Sequence, residues 1–94
     1  MMQSHSFQVP FQGETLYAES TSGRNGHILM LHGGGKDRTI FHKYRVMLDA
    51  SGFGTTIFDF LGHGETGGDI HNSSLFSRTQ QAKAVMDFQG QIYT

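Results

Sequence analysis

His27-Ile28-Leu29-Met30-Leu31-His32-Gly33-Gly34-Gly35 opens the stretch that decides the fold, and Thr55-Thr56-Ile57-Phe58-Asp59-Phe60-Leu61-Gly62-His63-Gly64-Glu65-Thr66 closes it. Each is a short apolar run that breaks into glycines. The first, wholly apolar after His27 and bounded by glycine, reads as a strand buried on both faces. Between the two, residues 37–51 have helical period: Ile40, Tyr44, Met47 and Leu48 share one stripe, with Arg38, Lys43, Arg45 and Asp49 largely off it. Gly52 stands where a left-handed C-cap is wanted. Strand, crossover helix and strand in that order predict a right-handed βαβ unit with parallel strands. Both glycine loops then fall at the carboxyl ends of strands, where open α/β sheets bind ligands.

Toward the N-terminus, Ser6-Phe7-Gln8-Val9-Pro10-Phe11 alternates apolar and polar, and Pro10, which cannot donate to a ladder, predicts an edge strand. Gln12-Gly13 makes a turn and Thr15-Leu16-Tyr17-Ala18-Glu19 a returning strand, giving a hairpin. A polar loop over residues 20–26 leads into the first apolar run. Toward the C-terminus the chain stays polar and irregular through Asn72. Ser77-Arg78-Thr79-Gln80 then fits a helix-opening capping box. Leu75 and Phe76 are expected to pack under its start, Ala82, Val85, Met86 and Phe88 to form the inward stripe, and Gly90 to cap its end. Gln91-Ile92-Tyr93-Thr94 has the composition of a strand just beginning. The fold class is α/β: an antiparallel hairpin plus a parallel βαβ unit, then a second helix.

The bulk properties narrow the function. Ninety-four residues make one small domain or part of a larger one. Seven Lys and Arg against eight Asp and Glu, scattered along the chain, give a formal charge of −1 and no nucleic-acid footprint. No run reaches the length of a membrane span, so no membrane partner is expected. Residues 1–6 lack the basic start and apolar core of a secretory signal. Cysteine is absent, which excludes disulfides and thiolate metal sites. The expected setting is cytoplasmic, and the Asn72-Ser73-Ser74 sequon is read as chance.

Glycines in the 32–35 loop permit a sharp turn and close approach of a ligand to the backbone. Amides there would point at the carboxyl edge of the sheet, where negative charge is stabilised. Half of an oxyanion hole, a tight turn and a generic anion nest all satisfy that description. A nucleotide-hydrolase phosphate loop does not. It needs a glycine five residues before Gly35-Lys36, where Met30 stands, and Ser or Thr after the lysine, where Asp37 stands. Gly62-His63-Gly64-Glu65-Thr66-Gly67 has dinucleotide glycine spacing, but Gly68-Asp69-Ile70-His71-Asn72 follows without the helix that motif requires. The six histidines form no metal-ligand spacing, and His63 and Glu65 read as solvated side chains. No metal and no cofactor are expected. The eight Phe and three Tyr, without basic interleaving, read as packing.

Taken together, these residues resemble the N-terminal portion of an α/β-hydrolase, most like the serine aminopeptidase-like, esterase- and lipase-like branches. The resemblance rests on His32-Gly33-Gly34-Gly35 after a buried strand, and on residues 59–66 as the family's Asp-x-x-Gly-x-Gly-x-Ser, with Thr66 in the serine place. It implies that the backbone N–H of Gly34, in the loop His32, Gly33, Gly34, Gly35, is an oxyanion-hole donor. Its partner donor would come from the residue after the nucleophile. His32 would be structural, and Asp59, Gly62, His63 and Gly64 would form a structural loop braced by the Asp59 carboxylate.

No catalytic residue is assigned in this chain, because none of its serines lies in Gly-x-Ser-x-Gly. In the family that elbow follows the strand after the last helix, so residues 1–94 are read as a partial domain truncated before it. The family strand order would put the second loop's strand between the hairpin and the first apolar strand. The outer side of the latter would be left open, needing the missing C-terminal strands. The expected function is that of an N-terminal fragment of a serine hydrolase acting on a small-molecule ester, thioester or amide, inactive alone. The alternative is a non-catalytic α/β anion-binding module or a truncated gene remnant.

Overall fold

A computed structural model describes residues 3–69 and 74–93, for the last three of these in backbone only. Strands β1 (His5–Phe11), β2 (Glu14–Thr21), β3 (His27–Met30) and β4 (Gly54–Phe58) form one mixed sheet in the order β1-β2-β4-β3. β1 pairs antiparallel with β2, β2 antiparallel with β4, and β3 parallel with β4. The second loop's strand therefore lies between the hairpin and β3, as the resemblance implied, and β1 with Pro10 is the edge on the other side. The hairpin turns on Gln12 (φ 48°) and Gly13 (φ 79°), both left-handed, the backbone of a two-residue turn whose twist matches its strands.

β4 is central and all five of its residues are buried. β3 is an edge strand, and Ile28, Leu29 and Met30 are only half-buried, so the two-sided burial expected of it belongs to β4 instead. The two faces of the sheet differ in chemistry because alternate residues point to opposite sides. One face carries Leu16, Ala18 and Phe58, which with Val9, Phe60, Leu61 and Val85 form the apolar core beneath helix α2 (Leu75–Tyr93). The other face carries Glu19, Thr21 and Thr55 and lies under helix α1 (His42–Ala50).

That second face overturns the expected packing of the first helix. The segment opens as a 3-10 turn over Arg38–Phe41, N-capped by Asp37, before α1 begins. The residue α1 buries is Arg45, whose guanidinium donates to Thr55 Oγ1 (3.1 Å), Glu19 Oε1 (3.3 Å) and Ser4 Oγ (2.9 Å). The polar groups of that face, Glu19 and Thr55, select a polar helix residue, and the apolar stripe points elsewhere: Ile40, Tyr44 and Met47 are exposed. With Met30, Phe41 and Leu48 they line an apolar groove of about 550 Å³ beside the β3 edge. Gly52 follows α1 with φ 83°, the left-handed conformation expected there.

Helix α2 also departs from expectation. Ser74 accepts the backbone N–H of Ser77 (3.1 Å), so the cap lies three residues earlier than the Ser77-Arg78-Thr79-Gln80 box. Ser77 is inside the helix, its hydroxyl accepting from Gln81 Nε2 (3.1 Å), and Leu75 and Phe76 are exposed rather than packed. The helix runs through Gly90 to Tyr93, so residues 91–93 are helical and not the start of a strand; Thr94 lies outside the described residues. The most buried line along α2 is Gln81, Val85 and Gln89, with Phe88 stacked on Phe7 at 5.8 Å between ring centroids. The glutamines reach polar groups of the sheet: Gln81 Oε1 accepts from Leu61 N (2.8 Å), and Gln89 bonds Thr56 and His27. No helix among the described residues is long and apolar enough to cross a membrane.

Candidate functional site

The two glycine loops meet at the carboxyl ends of β3 and β4, and two histidines lash them together. His32, buried at the end of the first apolar run, accepts the Phe60 N–H at Nε2 (3.1 Å), so its proton sits on Nδ1 and donates to Gly33 O (2.7 Å). His63, buried in the second loop, accepts the Gly35 N–H at Nε2 (3.3 Å) and donates from Nδ1 to Leu61 O (2.9 Å). Each loop thus supplies a ring that receives an amide from the other, and the ring centroids lie 4.9 Å apart. His63 is 4% exposed, against the sequence expectation of a solvated side chain, because the turn around it folds the ring inward.

That turn is closed by Gly62 N–H to Gly67 O (2.9 Å), His63 N–H to Phe60 O (3.0 Å) and Thr66 N–H to His63 O (2.9 Å). Gly62 (φ 76°) and Gly64 (φ 53°) are left-handed, and a Cβ on Gly64 would lie 2.4 Å from the Asp59 carboxylate. Glycine spacing here serves internal packing, with the carboxylate occupying the space a side chain would need. Asp59 is fully buried and accepts from Arg38 N (2.8 Å), from Glu65 N (3.0 Å) and, in an ion pair, from Arg38 Nη1. Thr66, in the serine place, is buried and accepts the Tyr17 N–H (3.0 Å), tying the second loop to β2.

Arg38, which sequence reasoning left on a helix surface, is the hub of this end. Its guanidinium also donates to Glu19 Oε2 (2.7 Å) and Glu65 Oε1 (3.0 Å). Burial alone would raise the Glu19 carboxyl, but the Arg38 and Arg45 guanidiniums hold it below its ordinary value. No described buried side-chain nitrogen or oxygen lacks a partner, so the desolvation of this polar end is compensated by hydrogen bonds. Nothing in helical or strand periodicity singles out an arginine whose partners lie on β2 and on the second loop.

Within the first loop, Lys36 N–H closes a turn onto Gly33 O (3.2 Å), and Gly35 (φ 77°) spends its amide on His63. The amides of Gly33 and Gly34 donate to no other described residue, and both glycines are exposed. Arg78, at the end of the first turn of α2, lies against this loop. Its Nη1 donates to His32 O (3.2 Å) and its guanidinium carbon stands 4.6 Å over the Phe60 ring. No group of three or more metal-ligating side chains occurs among the described residues.

Burial lowers the pKa of the His32 ring; the bond to Gly33 opposes this, His63 reinforces it, Asp59 opposes it and Arg78 reinforces it least. Burial likewise lowers His27. A histidine depressed by folding is protonated first in the unfolded chain, so the stability it allows is full above the unfolded value near 6.5 and falls below it. The urea midpoint is therefore expected to be lower at pH 5.5 than at pH 7.5, and His32→Gln to flatten part of that difference. An unchanged difference in the variant would remove His32 as a source.

Comparison with solved structures places the geometry. An esterase from Exiguobacterium antarcticum matches with a TM-score of 0.79 at 17% identity, over 92% of this chain and 32% of the esterase. A thioesterase domain from the curacin biosynthetic pathway matches at 0.77 and 18%, over 90% and 31%. A bottromycin epimerase matches at 0.76 and 26%, over 90% and 35%. The chain folds as the N-terminal part of an α/β-hydrolase, spanning about a third of the length of these proteins. No protein-family model and no curated protein sequence matches it significantly.

Proposed function

We propose that this chain supplies the oxyanion-binding loop of an acyl hydrolase acting on a small-molecule ester, thioester or amide. One observation carries the reading: the exposed Gly33-Gly34 amides at the carboxyl end of β3, unused by described residues and held in place by reciprocal histidine braces. In such a reaction the attacked carbonyl gains negative charge on oxygen, and the Gly34 N–H would donate to it. One donor aimed this way typically contributes about a hundred- to a thousand-fold in rate. The esterase and thioesterase folds are consistent with acyl chemistry, whereas the epimerase carries a different reaction on the same frame, so the reading rests on the loop.

The sequence contains no Gly-x-Ser-x-Gly, and the nucleophile, acid and base would belong to polypeptide beyond these residues. The apolar groove beside β3 would be covered by that same polypeptide. A fluorophosphonate probe tests the proposal. The 94-residue chain is expected to remain unlabelled, while a chain extended through the downstream reading frame is labelled on a serine and melts at higher temperature. Labelling of the short chain would overturn the placement of the nucleophile elsewhere. Downstream sequence without a reactive serine would overturn the hydrolase reading.

A further inference from the structure

Arg78 is a cation without an acid. The two arginines between the glycine loops are neutralised, Arg38 by Glu19, Asp59 and Glu65, and Arg45 by Glu19. Among the described residues no carboxylate pairs with Arg78; its contacts are a carbonyl, His32 O, and the Phe60 ring. It is half-buried, so its head is neither free to sweep through solvent nor sealed away. Its Nη2 lies 3.8 Å from the point where a Cβ on Gly34 would stand. Standard bond lengths then put that nitrogen within roughly 6 Å of the Gly34 amide nitrogen. Two oxygens of one carboxylate or phosphate group, each about 2.9 Å from its donor, span such a gap.

The geometry points to an oxyanion-binding site made by the Arg78 guanidinium and the Gly33-Gly34 amides, taking a ligand that carries a carboxylate or phosphate group. Three features make the site more than a charge near a loop. The guanidinium plane is fixed by Phe60 beneath it and by His32 O at one nitrogen, which lowers the entropy lost on binding. The amides are held by His32 and His63, which fasten the two ends of the same loop. Glycine at 34 leaves open the space between the amide and Nη2 that any side chain would enter. The partial positive charge of the amides and the full charge of Arg78 add at one point, and a forked donor suits a two-oxygen acceptor.

For the hydrolase reading, in which the Gly34 N–H turns to the attacked carbonyl oxygen, Arg78 with the Gly33 amide would hold an acidic group of the substrate beside the scissile bond, a step that rests on that reading. The binding itself does not, because it needs no nucleophile and is measured without turnover. Titration of the isotopically labelled 94-residue chain with benzoate and with phenyl phosphate, against neutral benzamide, tests it by backbone amide shifts at low salt. Saturable shifts centred on Gly33, Gly34 and Arg78 are expected with either or both anions and not with benzamide; comparison of the two anions identifies the preferred group. Arg78→Gln is expected to weaken binding about tenfold or more. Arg78→Lys, which keeps the charge but not the fork, is expected to weaken it less. Equal affinity in both variants, or shifts spread over Lys36 and Lys83 instead, would overturn the site. Should Arg78→Gln fail to fold, the lysine variant decides: undiminished binding there refutes the forked contact.

Discussion

Replacing Asp59 by alanine is expected to unfold most of the protein. The carboxylate is fully buried and serves three donors on two segments: the Arg38 backbone, the Arg38 side chain and the Glu65 backbone. Alanine would leave those donors without an acceptor and the Arg38 charge with less compensation. Breaking a buried pair from one side costs about 3–5 kcal/mol. A small domain has on the order of 5–15 kcal/mol in total, and 94 residues fall toward the lower end. Circular dichroism against urea would show the midpoint collapsing toward zero denaturant. Asp59→Asn, which keeps an acceptor oxygen but not the charge, is expected to lie between alanine and wild type. A midpoint for Asp59→Ala within experimental error of wild type would show that Glu19 and Glu65 alone hold Arg38.

The second large effect is expected far from the loops, at Gly23→Ala. A Cβ there would stand 2.3 Å from Gly54 N, 2.4 Å from Phe53 C and 2.5 Å from Gly52 O. All three are backbone atoms at the entry to the central strand, so no rotamer change can relieve the contact. The connection between β2 and β3 would have to lift, taking with it the Asn25 N–H to Gly52 O and Gly54 N–H to Gly26 O bonds (both 2.9 Å). Gly13→Ala is the matched control. Its Cβ would meet nothing within 4 Å, and only its left-handed φ of 79° opposes the change, at about 1 kcal/mol. Thermal melts of the two variants should therefore diverge widely. Equal losses would mean that backbone conformation, and not close approach, is what glycine supplies at position 23.

Much of the fold was legible because two signals agreed. Apolar runs ending in glycine marked the parallel strands, and Pro10 with Gln12-Gly13 marked the hairpin and its outer position. Most of what was not legible traces to one physical cause: polar residues buried by pairing look like surface residues in a sequence. Arg45 lay off the apolar stripe and was expected outside, yet it is the residue α1 buries, because Glu19 and Thr55 wait beneath it. Gln81 and Gln89 share a helical line with Val85, and that spacing of four could have flagged them. His63 is the same case within the loops: its role depends on Gly35, twenty-eight residues away, which no local pattern reports. The ends of α2 were misread because Ser77 and Gly90 both resemble caps, while the helix caps on Ser74 and continues to Tyr93.

The strand order has a consequence for how the chain comes together. β4 is the last in sequence of the four described strands and the one between β2 and β3, so neither of those has its inner neighbour until residue 58 exists. A growing chain that stops short of it holds a hairpin and a loose third strand with nothing to join them. Glu19 can pair with Arg38 and Arg45 before then, but the buried Asp59 carboxylate that also holds Arg38 arrives only at the end of that strand. On the ribosome the residues before β4 are therefore a collection of parts, and these four strands can join only once their connecting strand has been made.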